Sequence, residues 1–535
     1  MYKQSILAAA VFFTVFPALL GQSADSVTDF GSSQAKEVSK VTVFLNDTKS
    51  YSPMIFGGFL EHFNRQIYGG VYEPQSPLSN EKGFRLDVIE ALKELKVPVV
   101  RWPGGCFVSG YHWKAGIGPN RIPVDDMAWG VRESNAFGTD EFVELCRLAG
   151  WQPYICNNAG NGTIDEMVEW VEYCNTPETG AAYLRIANGH LAPFNVKLWS
   201  IGNENYGPWE IGHKTADQWA PMVREAAQRM KAVDAGIKLA AAAVASDEWV
   251  GRLLEAAGQY LDYISIHGYW LICNEKNQQP DYLTCVMYSN GPENQIVQTI
   301  QLLEKYGYRG RIKIAFDEWN LRGWHHPGFP RREVSNYNDP HIIELVRARD
   351  KNLIPSQYTM ADALFSASFF NACLRHSEDV GMANIAPLVN TRGPLYVYPG
   401  GIVKRTTFHT MAMYANLLGS RVAKTEVRAG PLAGGGQSIP VLDAIGTVNE
   451  AQSVCTVALV NRHPLQEVIC TIDFRGAPLP SGWLEAVVLA GDMPEAYNDI
   501  EHPHRVSPEK KQLLLDNGSV KLSPHSLTIL KIPLK

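Results

Sequence analysis

The sequence predicts an α/β fold, a closed (β/α)8 TIM barrel followed by a C-terminal β-sandwich, on three observations. Between about residues 54 and 390, eight short apolar runs rich in β-forming residues alternate with stretches of helical periodicity. Eight such repeats favour a closed barrel wrapped by helices over an open, doubly wound sheet. No Gly-x-Gly-x-x-Gly turn follows the first run, so the phosphate-binding fingerprint of the open dinucleotide fold is missing. Beyond about residue 400 the helical pattern mostly stops, and alternating segments separated by Gly, Pro and Asn read as antiparallel strands.

Taken in order, the chain opens with Lys3, an apolar run over 6–20, and then Gly21, Gln22, Ser23 and Ala24, the order of a signal peptide. The run is shorter than the roughly 20 apolar residues that span a bilayer. Pro17 interrupts it, and no Cys follows to accept a lipid. Residues 1–22 are expected to be a signal peptide and 23–39 a polar linker, which makes the protein secreted or periplasmic, with no membrane partner after cleavage. A strand at 41–45, within 40–52, is expected to join the sandwich; 53–400 is the barrel and 401–535 the sandwich.

The eight barrel runs are 55–63, 97–105, 152–158, 196–204, 238–245, 263–269, 313–320 and 379–387. Helical faces lie between them: Phe84, Val88, Leu92 and Leu95 form one stripe, and Trp219, Met222, Val223, Ala226, Met230 and Val233 another. Thr163 with Glu166 reads as a capping box ahead of a third. A last helix is expected over 408–418, and sandwich strands over 453–460, 467–474, 484–489 and 527–532, with 430–436 as a Gly-rich surface loop.

Composition excludes some partners. Hydrophobic residues make up 45% of the 535, and charged residues 19%, a balance that buries large cores. A net charge of −7 without a basic stripe argues against nucleic acid. Nine Cys lack the spacing of a zinc site, and the adjacent His325 and His326 cannot both reach one ion from one face, so no metal and no cofactor is expected. Cys273 with Cys285, and Cys455 with Cys470 on what look like neighbouring strands, are the pairs that an oxidising compartment could bridge.

Chemistry in a barrel lies at the carboxyl ends of the strands, and here those ends are acidic. Strand one ends in Glu61-His62, strand four in Asn203-Glu204, strand six in His267-Gly268-Tyr269 and strand seven in Asp317-Glu318-Trp319-Asn320. An apolar strand that ends in a carboxylate wastes burial unless the group faces a cleft or an ion partner. Glycoside cleavage needs two such carboxyls, and strands four and seven put Glu204 and Glu318 across the barrel mouth. Their spacing in sequence leaves retention and inversion both open.

The segments "FGGFLEHFNRQIYGGVYEP" (56–74), "RWPGGCFVSGYHWKAGIGP" (101–119), "NAGNGTIDEMVEWVEYCN" (158–175), "WSIGNENYGPWEIGH" (199–213) and "FDEWN" (316–320) closely resemble the α-L-arabinofuranosidases of glycoside hydrolase family 51. The resemblance covers the barrel in colinear order. It implies a retaining mechanism without metal, a carbohydrate substrate and a sandwich completed by the N-terminal strand. It also admits a homo-oligomer. Residue by residue, Glu204 matches the acid/base, Glu318 the nucleophile and Asn203 the contact to the sugar's 2-hydroxyl. Glu61, Cys106 and Tyr269 match positions that line the glycone pocket, while Arg101 and Trp113 are expected to support the site at most. Glu204 is expected to carry a proton while Glu318 is ionised.

Three departures bear on the sugar. Ala386-Pro387-Leu388-Val389-Asn390 stands where the family reads Ala-Gln-Leu-Val-Asn; Asn205-Tyr206 replaces Met-Asp; and His267-Gly268-Tyr269-Trp270 replaces His-Gln-Tyr-Tyr. The expected activity is exo release of terminal α-L-arabinofuranose. The alternatives are a β-D-galactofuranosidase, an endo-acting xylanase or glucanase, and a carbohydrate-binding protein without turnover. Glu61 has His62 and Arg65 as neighbours, so a structural ion pair is its alternative role. The segment 321–357 is expected to be a long loop that walls the leaving-group side with Trp324 and Phe329.

Overall fold

A computed structural model describes residues 39–273, 281–324, 358–478 and 480–534, the side chains of 272, 273 and 324 excepted. The expected signal peptide, most of the linker, His325, His326 and Phe329 lie outside the described residues.

All eight barrel strands form where the apolar runs stand: Gly57–Phe59, Val99–Trp102, Gln152–Asn157, Leu198–Ile201, Lys238–Ala242, Tyr263–Cys273, Lys313–Trp324 and Val380–Ile385. Each pairs in parallel with the next, and the eighth pairs back to the first. Several are shorter than their runs because the last residues of each run leave the ladder to build the mouth. The seventh is longer and reaches Trp324, so residues 321–324, expected to open a long loop, belong to the strand, and the rest of that segment lies outside the described residues. Val99, Tyr154, Leu198, Ala240, Ala315 and Met382, drawn from six of the eight strands, form one buried cluster of the barrel.

The helices follow their stripes. Leu86–Glu94 buries Val88 and Leu92, and Ala216–Val233 buries Trp219, Val223, Ala226 and Met230. The Thr163 capping box forms only in half. Thr163 caps the helix by accepting from the Glu166 N–H, but the Glu166 carboxylate bonds His112 Nδ1 at 3.0 Å instead of turning back. A complete box forms at Thr215 with Gln218. Met360–Arg375 is buried through Leu374 on every side, because it lies between the barrel and the second sheet. Its Asn371 donates to Asp443 at 3.0 Å, and Arg375 pairs with the same carboxylate at 2.7 Å.

The second sheet has nine strands and includes the N-terminal strand Ser39–Ser50, which lies between Arg421–Arg428 and Val468–Arg475. Val41 and Val43 face its core and the residues between them face outward, as alternation requires. Glu509–Leu515 and Ser519–Leu522 are consecutive in sequence yet sit at opposite ends of the ladder. A short turn joins them, so the sheet curls back on itself as a sandwich. The last helix, Thr406–Leu417, forms as expected. Two expectations fail here. The Gly-rich segment is a hairpin, Pro431–Gly434 with Gln437–Pro440, because its flanks alternate well enough to pair. Cys455 and Cys470 are free buried thiols on strands that are not neighbours. The pairing of Cys273 with Cys285 lies outside the described residues.

Candidate active site

The fourth strand ends at Ile201, and the chain then turns through two left-handed residues, Gly202 at φ +70° and Glu204 at φ +42°. A Cβ on Gly202 would lie 2.0 Å from Asn205 Oδ1 and 2.5 Å from Trp219, so only glycine fits. This turn presents Asn203 and Glu204 together at the mouth, and the left-handed Glu204 is strain held at a functional position.

The seventh strand uses a different device. Ala315 and Glu318 pair with Ser265 and His267 of the sixth strand, so one extra residue is inserted between them. This bulge lets consecutive side chains both face inward, where a regular strand would alternate them. Asp317 accepts from Tyr154 and Ser265, each at 2.7 Å. Glu318 accepts from Arg101 Nη1 at 2.6 Å and from Tyr269 at 2.7 Å.

Arg101, at the end of the second strand, is fully buried and ties the pieces together. Beyond Glu318 it donates to Asn203 Oδ1 at 2.9 Å, and its Nε lies 3.4 Å from Asp317. The charge-assisted hydrogen bonds of this buried cation aim the groups around it. Burial pushes Asp317 upward, but Arg101 and His267 outweigh it and keep the carboxyl below its ordinary range.

Glu204 and Glu318 each bring an oxygen within 4.8 Å of the other and of a His267 nitrogen. Glu204 accepts from Trp209 Nε1 at 2.7 Å and lies 2.9 Å from His267 Nδ1. Burial would raise its carboxyl, yet the hydrogen bonds from His267 and Trp209 prevail and hold it below the ordinary glutamate value. Burial opposes charge on His267, but Glu318, Asp317 and Glu204 push it up to about 10. These shifts run against the expectation that Glu204 itself carries the proton, because they favour the charged forms of both Glu204 and His267.

Another side of the opening is built on Glu61. It accepts from Trp129 Nε1 at 2.7 Å and from the Phe107 N–H at 3.0 Å. Gly105 lets the backbone approach so closely that a Cβ there would lie 2.9 Å from Glu61 Oε1. Burial and the nearby Glu318 push the Glu61 carboxyl well up. His62 bonds Glu133 at 2.9 Å, and Arg65 donates to Val397 O at 2.9 Å, so the alternative ion pair with Glu61 does not form. The Cys106 thiol lies within 4.8 Å of oxygens of Glu204 and Glu210, and burial with those carboxylates pushes it well up. It is a neutral wall. These atoms are close enough to bracket a cation, but a protonated imidazole and a neutral thiol are poor metal ligands.

The structure thus gathers Glu61, Cys106, Asn203, Glu204, Tyr269 and Glu318 around one opening, with Arg101 in direct contact. Trp113 is elsewhere, stacked on Trp170 at 5.8 Å in the core. Among the participants that had no role in sequence are His267, Asp317, Glu210 and Arg392, whose guanidinium lies 4.9 Å from the Tyr269 ring centroid. The first three stand inside the quoted or strand-end segments, which was the available signal. Trp129 had none, since it arrives from a loop.

An eight-stranded barrel with two facing glutamates at the ends of its fourth and seventh strands defines a glycoside hydrolase architecture. Family models for the alpha-L-arabinofuranosidase C-terminal domain and the alpha-L-arabinofuranosidase 1 domain match residues 317–526 and 91–282. The chain is 34% identical to a probable alpha-L-arabinofuranosidase C of Aspergillus niger, over 91% of this chain and 93% of that one. An intracellular exo-alpha-(1->5)-L-arabinofuranosidase of Halalkalibacterium halodurans is also 34% identical, over 79% and 84%. The solved alpha-L-arabinofuranosidase of Thermotoga maritima superposes with a TM-score of 0.81 at 34% identity, covering 93% of this chain and all of that one. The family 51 enzyme AbfB of Bifidobacterium longum superposes at 0.82 with 29% identity, covering 93% of this chain and all of that one. The chain belongs to the α-L-arabinofuranosidases of glycoside hydrolase family 51.

Proposed function

We propose that this glycoside hydrolase removes terminal α-L-arabinofuranosyl residues with retention, Glu318 acting as nucleophile and Glu204 as general acid/base. The observation that carries this is the approach of their oxygens to within 4.8 Å. Retaining enzymes hold their carboxyls roughly 5–5.5 Å apart, whereas inverting ones leave roughly 6.5–9.5 Å for a water. So close an approach favours direct attack.

The steps follow from the contacts. Glu318, aimed by Arg101 and Tyr269, bonds to the anomeric carbon as the glycosidic C–O bond breaks. The leaving oxygen takes a proton from the His267–Glu204 pair, which shares one proton. Glu204 is its outward end, with 14% of its side chain exposed against 3% for His267. Glu204 then takes a proton from water, whose oxygen attacks the same carbon and frees Glu318. Asn203 meets the 2-hydroxyl, a contact that tightens as the oxocarbenium-like charge develops. Glu61, Cys106 and Tyr269 wall the furanose.

The H. halodurans relative, named an exo enzyme, supports exo action. The apolar run at 6–20 supports export; N-terminal sequencing of the mature chain would decide, with an intact Met1 counting against it. Pro387 stands where a glycone-contacting Gln was expected and favours a second substrate, β-D-galactofuranoside. Time-resolved proton NMR on an aryl α-L-arabinofuranoside tests the main reading: arabinose should first appear as the α-anomer. First appearance as the β-anomer, or full activity in Glu318→Ala, would refute it. Parallel assays on aryl β-D-galactofuranoside, xyloside and glucoside rank the sugars.

A further inference from the structure

Glu210 is a buried carboxyl inside the site that the steps above do not use. It is 4% exposed and lies in the turn that follows Glu204. Its Oε1 accepts from Asn203 Nδ2 at 3.1 Å, and its Oε2 lies 2.5 Å from Ser109 Oγ, a hydroxyl that can accept from a protonated Oε2. One of its oxygens lies within 4.8 Å of Glu204 and of the Cys106 thiol. Among the described residues it makes no ion pair. Arg101 is engaged with Asp317 and Glu318, and His267 with Glu204, Asp317 and Glu318.

The titratable groups that face Glu210 are Glu204, Glu318, the Cys106 thiol and the Tyr206 phenol, and none is a cation. A carboxylate there would be buried, unpaired and beside two others, a costly arrangement that protonation relieves. Burial first and the Glu204 charge second push Glu210 up to about 8, against the hydrogen bonds from Cys106 and Ser109.

We propose that Glu210 is a positioning residue for the hydrolysis, a proton-bearing carboxyl that fixes which way the Asn203 amide points. Arg101 can only donate, so it selects the Asn203 oxygen; Glu210 accepts from the nitrogen on the other side. One N–H of Asn203 is thereby used, and the second is left for the sugar. Ionisation would make Glu210 a stronger acceptor from Asn203 but leave an unpaired buried anion beside Glu204, and water entering to solvate that anion would displace the Asn203 contact. The proposal rests on Asn203 meeting the sugar, as proposed above.

The test compares Glu210→Gln, Glu210→Ala and Asn203→Ala, each checked for folding by circular dichroism and thermal melting. On an aryl α-L-arabinofuranoside near pH 6, Glu210→Ala should lose about 10–100-fold in kcat, with KM moving less, as for a group misplaced by about 1 Å. Glu210→Gln keeps the acceptor without the charge and should recover most of that loss. Its activity relative to the unmodified enzyme should rise with pH, reaching about tenfold one unit above the Glu210 midpoint. In an Asn203→Ala background, Glu210→Ala should cost less than about twofold more, since both remove the same contact. An equal cost in both backgrounds, or a Gln variant that fails with Ala and keeps the parent pH profile, would overturn the proposal. An infrared difference spectrum between parent and Glu210→Gln at pH 6 reads the proton without turnover. A carboxylic acid band supports the proposal and a carboxylate band refutes it, even if no arabinofuranoside is cleaved.

Discussion

His267 places Nδ1 2.9 Å from Glu204 and Nε2 3.4 Å from Asp317, so one imidazole bridges the proposed acid/base and the residue that precedes the proposed nucleophile. Nδ1 also lies 3.7 Å from Glu318. A single buried cation thus serves three carboxylates, and the pH behaviour of the site depends on it.

The sign of that dependence follows from the shift. His267 is raised from 6.5 to about 10, so its stabilisation is complete below its ordinary value and disappears as pH climbs through the raised one. The gap in urea midpoint between the parent protein and His267→Gln should be widest near pH 6 and should close near pH 10. An equal gap at both pH values would show that the imidazole is neutral in the folded state.

Removing the acid/base should leave a recognisable kinetic trace. Glu204→Ala should retain activity on aryl arabinofuranosides whose leaving group needs no proton, and lose about 10²–10⁴-fold where one is needed. Azide, small enough for the vacated space, should restore the second step and yield arabinofuranosyl azide of retained configuration, detected by NMR.

Burial and the nearby Glu318 push Glu61 toward a neutral acceptor rather than a charge. Glu61→Gln keeps an oxygen for Trp129 and Phe107, whereas Glu61→Ala strands both donors at about 1–3 kcal/mol, or about 5–150-fold in kcat/KM. Michaelis–Menten constants for the two variants should separate accordingly, and a Gln variant as poor as Ala would mean that the charge matters.

The backbone turn behind the acid/base is equally open to test. Gly202→Ala must fit a Cβ against Asn205 and Trp219 at a left-handed φ, and should lose about 2–4 kcal/mol of stability. Urea denaturation gives the loss, and kcat should fall with it because Asn203 and Glu204 ride on the same turn.

Much of this was legible in sequence because barrel strands are local apolar runs, and their carboxyl ends are where polar residues must collect. Gln152–Asn157 and Lys238–Ala242 formed almost as read. The N-terminal strand was visible for the same reason, since Val41 and Val43 alternate with outward residues. The hairpin at Pro431–Gly434 was missed because glycine content was given more weight than alternation. Glu166 was misassigned because His112 competes for it from a distant segment.

By itself, the sequence determined the barrel, the N-terminal strand's place in the sandwich and the glutamates at the ends of strands four and seven, because periodicity and strand-end polarity are local properties of the chain. Tertiary structure alone decided where the protons sit. The bulge before Glu318 sets Asp317, Glu318 and His267 facing one another, which lowers Glu204 and raises His267, and burial beside Glu204 pushes Glu210 up. Charge state depends on burial and on neighbours hundreds of residues away, which no local pattern records.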